Sequence, residues 1–343
     1  MKAQACHLSG LSVYATIHKR LSLFQMHIHI DIVGTCNLRC PSCPVGNTSP
    51  SATVPSKKMS LELLAKILDK ADREIGNYSV GFFNWTEPLL HPQLPLLCKE
   101  VKKRGRYLAL SSNLNITRDY SEFLPYVDEL CLSLSGFSQQ VYAQTHTGGN
   151  IDKVKENMRK LSLARAQTRS NCMIYTRYIR YKHNLEEEQQ VKAYVESLGF
   201  VHGACWAQLM PLEKQVAWLE GRKNDLTSQD IEIISNLAID PVDFISLTSK
   251  YDHGSCHLRS DQITLDPDGN SILCCSVYEQ SANSVGNFLD MNLEEMQQRR
   301  HQHSTCVQCM RLGAHRFSIP DHELSQRVDA KIEKILKKSL IAG

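Results

Sequence analysis

The sequence predicts an α/β fold: a partial (β/α)6 barrel of TIM type, followed by a small Cys-rich domain of β-hairpins and helix. Two observations carry this reading. From residue 27 to about 210, short apolar runs alternate six times with helix-like stretches, the pattern of parallel strands joined by crossover helices. From 251 to 315 the chain becomes rich in Cys, His, Asp and Gly, and Asp268-Gly269 stands between β-prone residues as a hairpin turn. A length of 343 residues suits one large domain or two ordinary ones. The boundaries read as an N-terminal extension over 1–26, the barrel over 27–245, the Cys-rich domain over 246–320 and a C-terminal helix over 321–343.

The first strand is predicted over 28–33 and runs into a cysteine-bearing loop. A helix follows, with Ser60 as N-cap and Leu63, Leu64, Ile67 and Leu68 on its apolar side. Further strands are predicted over 78–84, 107–111, 129–135, 172–178 and 203–210. The helices between them are predicted over 92–104, closed by Gly105, over 151–166, with Val154, Met158 and Leu161 at helical spacing, and over 185–198. Residues 211–250 read as a helical connection ending near Pro241. The tail over 322–340 reads as a basic amphipathic helix that packs Val328, Ile332 and Ile335 on the body and leaves its charges in solvent.

An apolar content of 42% and a charged content of 22% are those of a soluble globular protein with a real core. The net charge of +3, without a dense basic block, argues against nucleic acid or an anionic membrane as partner. No run reaches the ~18 apolar residues of a membrane span. His7, His18, Lys19 and Arg20 interrupt the start, so no signal peptide is expected and the expected location is cytoplasmic. The 13 cysteines fall in tight groups, which favours metal ligation in a reducing compartment over a disulfide framework.

Cys36, Cys40 and Cys43 form a C-x3-C-x2-C loop directly after the first strand. Three thiolates suit an iron–sulfur cluster with one iron left open to another ligand. Zinc would want a fourth Cys or His, and the nearby His29 lies in a strand; loose structural cysteines are the remaining alternative. A second group, Cys256, Cys274, Cys306 and Cys309, reads C-x17-C, then a gap of 31 residues, then C-x2-C. Four cysteines would close a zinc site or a cluster equally well. Cys275 rivals Cys274, but adjacent strand residues face opposite ways, so only one reaches the centre. Cys6, Cys98, Cys131, Cys172 and Cys205 read most simply as small buried side chains, and His253, His257, His301 and His303 as solvated histidines.

The C-x3-C-x2-C loop in this setting resembles that of the radical S-adenosylmethionine (SAM) enzymes. The resemblance implies a [4Fe–4S] cluster on Cys36, Cys40 and Cys43 whose open iron is chelated by the methionine end of SAM. Reductive cleavage of SAM would then give a 5′-deoxyadenosyl radical that abstracts hydrogen from substrate. Asn84-Trp85-Thr86-Glu87-Pro88 stands where the family usually has a Gly-Gly-Glu-Pro-like turn, so Asn84, Thr86 and Glu87 are expected at the SAM amino group, with Thr86 departing from glycine. Ser111, Asn113, Ser135 and Arg177, at the ends of later strands, are implied as further SAM contacts. The second cysteine group resembles a Twitch domain, the shortened form of SPASM, of the butirosin aminocyclitol dehydrogenase type, which implies one auxiliary [4Fe–4S] cluster.

By this resemblance the protein is a radical SAM oxidoreductase or epimerase acting on a small, carbohydrate-like molecule, and it draws on an external one-electron reductant such as flavodoxin or ferredoxin. Cys205, beside Trp206, is the candidate hydrogen donor to a substrate radical. A peptide-modifying maturase is the alternative within the family, and a non-catalytic zinc or iron–sulfur module the alternative outside it.

Overall fold

The computed structural model describes residues 23–47, 57–251, 254–318 and 326–335. Expectations placed on Cys6 and the rest of 1–22, on His253, and on both ends of the C-terminal helix lie outside these residues. Among the described residues, nine strands form one sheet in the order β6-β5-β4-β3-β2-β1-β7-β8-β9. They are β1 Met26–Ile30, β2 Tyr78–Phe82, β3 Tyr107–Ser112, β4 Glu129–Ser133, β5 Met173–Arg180, β6 Val201–Trp206, β7 Gln262–Leu265, β8 Asn270–Ile272 and β9 Ser284–Asn287. The first six pair in parallel, as the βα alternation predicts, and the sheet does not close. β7 pairs with β1, again in parallel, so the sheet runs unbroken from the barrel into the Cys-rich segment, where β8 and β9 are antiparallel.

Period-2 alternation sets the two faces of the curve. Ile28, Ile30 and Ile32 are buried with Leu64, Ile67, Leu68 and Ala71 of the helix Leu61–Glu74 and with Leu94, Leu97 and Val101 of the helix Leu94–Lys103. Ser60 caps the first of these helices by accepting from Leu63 N at 3.0 Å, as expected. The opposite row, His27, His29 and Asp31, faces inward. His27 Nδ1 lies 2.7 Å from Ser79 Oγ, and the His29 ring lies 4.6 Å from that of Phe83. Gly81 makes room there, because a Cβ on it would meet the Phe83 ring at 2.7 Å. The interiors of closed eightfold barrels are packed with branched aliphatic side chains. Here Cys131, Tyr175, Met173 and Val201 fill only one end of the interior, and Arg177 is exposed on the same row of β5.

Most strand and helix ends shift by a few residues from expectation, β1 from 28–33 to Met26–Ile30 among them, and two of the differences have a clear local cause. β6 begins at Val201, not 203, because Gly199 takes a left-handed φ of 71° after the helix Glu188–Ser197 and Val201 already pairs with Tyr175. Residues 207–210 therefore leave the sheet. Pro241 opens a helix instead of ending one: its fixed φ suits a first turn, and the Asp240 side chain caps it by accepting from Val242 N. The connection thus comprises the helices Leu212–Leu219, Ser228–Asn236 and Pro241–Thr248. Residues 326–335 are helical, and Val328 and Ile332 pack on Ala238, Ile239 and Phe244, as the amphipathic pattern predicts. No described helix is long and apolar enough to cross a membrane.

On the outer face, Glu188 clamps the end of β5. Arg180 Nε and Nη2 donate to its two oxygens at 2.6 and 2.7 Å, and His202 Nε2 lies 3.2 Å away. Burial alone would raise its pKa, but the hydrogen bonds from His202 and Arg180 outweigh it and hold the carboxyl down to about 2. A depressed carboxylate contributes stability that is complete above its ordinary value of 4.5 and is lost as pH falls towards 2. E188Q is therefore expected to lower the unfolding free energy by about 1–3 kcal/mol at neutral pH. Urea titrations across the acid range should also show a shallower pH slope for the variant.

Candidate metal centre and cofactor site

The chain leaves β1 at the C-terminal edge of the sheet and turns at once into the cysteine loop. Glu87 N donates to Thr35 O at 3.1 Å, Arg39 N to Thr147 O at 2.9 Å and Cys43 N to Cys40 O at 3.0 Å. The Gln229 amide donates to Pro41 O at 2.9 Å. Contacts from three distant segments therefore fix the loop that presents Cys36, Cys40 and Cys43.

All three thiols are half-buried, and each lies within electrostatic range of the others. Burial pushes Cys36 up to about 12 and Cys40 higher still, and neighbouring negative charge adds to both shifts. Bare thiolates are thus costly here, whereas a cationic core that replaced their protons would relieve both desolvation and mutual repulsion. Among the described residues, no three of His, Cys, Asp and Glu stand at the spacing of a single metal ion. A cluster takes one thiolate per iron, so its ligands stand farther apart than those of one ion, and the donor set fits a cluster.

The turn after β2 leans on a residue the sequence reading passed over. Asp31, 4% exposed, accepts from Trp85 N at 3.2 Å, from Thr86 N at 3.2 Å and from the Thr86 hydroxyl. Burial raises its pKa to about 6 against these bonds. Thr86, where glycine was expected, thereby supplies a third tie to Asp31. Glu87 is also buried: Oε1 accepts from Ser112 Oγ at 2.8 Å and Leu89 N at 3.1 Å, and Oε2 accepts from Asn113 N at 2.8 Å. Burial lifts its pKa to about 7. Cys43 Sγ lies 3.9 Å from Trp85 O, while the Asn113 amide donates to Asn37 Oδ1 at 3.0 Å and to Cys36 Sγ at 3.6 Å. The loop after β1 and the turns after β2 and β3 therefore converge. They set carbonyl and carboxylate acceptors beside the thiols, an arrangement suited to an ammonium group.

The other expected contacts are spread along the inner row. Ser111 pairs in register with Cys131. Ser135 is buried, and its hydroxyl accepts from Ile179 N at 3.0 Å, tying the end of β4 to β5. Arg177 lies close enough to His29 and Cys131 to influence both. Cys205 pairs in register with Ile179, and Tyr181 lies within range of both Cys205 and Cys40, so this thiol sits at the cluster-loop end of the interior. His29, which the sequence reading noted only as a poor zinc ligand, is held to a pKa of about 3 by burial and then by His27 and Arg177, so it is neutral. The alternation of His27, His29 and Asp31 against isoleucines was the signal that could have found this row. Outside the loop, a cavity of about 630 Å³ is lined by Arg39, Ser42, Tyr181, His183 and Gln229.

The second cysteine group also assembles. Cys306 and Cys309 stand on the helix Ser304–Leu312, both buried, and Cys256 interacts with both. Cys274 interacts with Cys309, whereas Cys275 hydrogen-bonds Gln262 and Ser276. Of the adjacent pair, Cys274 is therefore the one within range of another member of the group, Cys309. Cys98, Cys131 and Cys172 are buried, as expected of small apolar side chains.

Residues 30–197 match the Radical SAM superfamily, a stretch that contains the whole cysteine loop and the turns after β2 and β3. The chain is 28% identical over 192 residues to a tungsten-containing aldehyde ferredoxin oxidoreductase cofactor-modifying protein of Pyrococcus furiosus, covering 54% of this chain and 52% of that one. The chain spans about half the length of the curated relatives it matches. Among solved structures it is similar to native anSMEcpe with bound AdoMet, with a TM-score of 0.52, 16% identity and 82% of each chain covered. Streptococcus suis SuiB bound to the precursor peptide SuiA gives a TM-score of 0.55 at 11% identity, over 86% of this chain and 69% of that one. At these identities the likeness is one of fold, and it matches the open, mostly parallel sheet. Residues 30–197 thus carry a radical SAM domain, and that superfamily uses a [4Fe–4S] cluster and SAM.

Proposed function

We propose that the chain is a SAM-cleaving enzyme in which Cys36, Cys40 and Cys43 hold the [4Fe–4S] cluster, and in which the 84–87 turn and Asn113 receive the amino-acid end of SAM. The observation that carries this reading is the convergence of three thiols with the Trp85 carbonyl, Glu87 and Asn113 at the C-terminal ends of β1, β2 and β3. When bound, the cluster and SAM supply one-electron bond cleavage and hydrogen abstraction. The chain's own residues orient SAM, shield the interior from water and grip the substrate. His27, His29, Ser133 and Arg177 line the interior with donors and acceptors, which suits a hydroxyl-rich, carbohydrate-like molecule. Cys256, Cys274, Cys306 and Cys309 would hold an auxiliary cluster, which would supply an acceptor for the second electron of an oxidation or a seat for the substrate. The fold shared with a protein solved in complex with a precursor peptide makes a peptide side chain the second reading.

Anaerobic reconstitution with iron and sulfide tests the reading. About eight irons per chain and reductant-dependent release of 5′-deoxyadenosine are expected; bound zinc without SAM cleavage would overturn it. Candidate polyols and peptides assayed side by side for substrate-stimulated SAM turnover separate the two substrate classes. If Cys205 returns hydrogen to the substrate, C205A should keep 5′-deoxyadenosine release yet lose solvent deuterium from the product. Undiminished deuterium in C205A would remove Cys205 from the chemistry.

A further inference from the structure

We propose that Arg300 is the built-in counter-charge of the auxiliary centre and raises its reduction potential. The inference rests on reading Cys256, Cys274, Cys306 and Cys309 as the ligands of a [4Fe–4S] cluster.

Arg300 has no exposed surface, although it lies in the strongly polar helix Leu293–Gln302. Its Nε donates to Leu273 O at 3.0 Å, Nη1 to Gln262 O at 2.6 Å and Nη2 to Leu258 O at 2.5 Å. All three acceptors are backbone carbonyls, and none of its hydrogen-bond partners is a carboxylate. Leu273 directly precedes Cys274, and Leu258 lies two residues after Cys256, so the guanidinium is held between two ligand-bearing segments. Cys274, Cys306, Cys256 and Cys275 all lie within electrostatic range of it. A second, half-buried arginine stands nearby: Arg259 Nη1 is 3.9 Å from Cys306 Sγ, and its Nε has no hydrogen-bond partner.

Burying a cation is costly unless an anion compensates it. Carbonyl dipoles satisfy the N–H groups of Arg300 but do not neutralise its charge. Four thiolates around an iron–sulfur core do, because that assembly carries net negative charge and gains one more on reduction. A fixed cation stabilises the reduced form more than the oxidised form and so shifts the couple upwards. The bland alternative is a mechanical clamp, in which Arg300 only staples β7, the Cys256 turn and the Cys274 loop together.

The test uses the full chain carrying C36A, C40A and C43A, so that only the auxiliary centre can hold a cluster. Iron content is measured first, then the midpoint by a redox titration followed by electron paramagnetic resonance. R300Q removes the charge, whereas R300K keeps it and loses the planar fork. A counter-charge predicts that R300Q disfavours reduction at least tenfold, equivalent to 59 mV for one electron, and that R300K stays within threefold of the parent. An unchanged R300Q midpoint, or equal shifts in R300K and R300Q, would leave only the clamp. Should R300Q not fold, R300K and R259Q decide. A lowered midpoint in R259Q with R300K near the parent supports the proposal, and any other pairing overturns it. A parent that binds no redox-active iron would instead reject the auxiliary-cluster reading itself, and the proposal with it.

Discussion

Cys40→Ala is expected to abolish reductive SAM cleavage and to remove about four irons per chain, one [4Fe–4S] cluster's worth. The expectation follows from how the loop is built. Cys40 stands between the other two thiols in the sequence, and burial raises the cost of the Cys36 and Cys40 thiolates. With one ligand gone, a core would be held by two thiolates and lose the charge balance that makes thiolates tolerable in this setting. The loop's tethers to Glu87, Thr147 and Gln229 run through the backbone of Thr35, Arg39 and Pro41, so the fold should survive, and circular dichroism can verify that. Cys98→Ala is the matched control: Cys98 is buried beneath the sheet among Leu94, Leu97 and Val101, far from the loop's chemistry, and its loss should leave the iron content unchanged. Normal nucleoside release from C40A protein would end the assignment of this loop.

The second large effect is expected at Asp31. Its carboxylate is the acceptor for Trp85 N, Thr86 N and the Thr86 hydroxyl, so Asp31→Ala leaves three donors of one turn without a partner. Each orphaned buried donor costs about 1–3 kcal/mol, and the turn will shift to recover some of that. The shift displaces the Trp85 carbonyl and Glu87 from the mouth of the cysteine loop. SAM affinity should therefore fall at least tenfold, about 1.4 kcal/mol, while the three cysteines keep their iron. Equilibrium binding of SAM to reconstituted D31A protein, set beside its iron content, separates this outcome from a general collapse. Unaltered affinity in iron-replete D31A would show that the turn does not depend on its anchor.

The βα alternation was legible because each unit is local: an apolar run, a cap such as Ser60 and a helical stripe are all contained within a few turns of chain. The cysteine loop was legible for the same reason, since its spacing is written in eight consecutive residues, Cys36 to Cys43. What the sequence concealed is what depends on the far side of the fold. His29 and Asp31 read as part of an apolar strand until the curvature of the sheet turns their row inward. The start of β6 was misplaced because the apolar run beyond 203 outweighed the stop at Gly199. Arg300 has no local mark that sets it apart from the other charged residues of its helix, although charged side chains are seldom wholly buried unpaired. The pairing of β7 with β1 joins strands that lie far apart in the sequence and has no local signature at all.

That last pairing makes β1 an interior strand. On one side Met26 to His29 match Tyr78 to Gly81, and on the other His27 to Ile30 match Gln262 to Leu265. Severing the polypeptide anywhere between β2 and β7 would strip one flank of β1 and leave a row of unmet amides and carbonyls as a raw border, the kind that captures foreign strands. A fission of this molecule into two gene products would therefore demand that both pieces be synthesised together and meet before either clumped, which ties the inheritance of the two cysteine groups to each other.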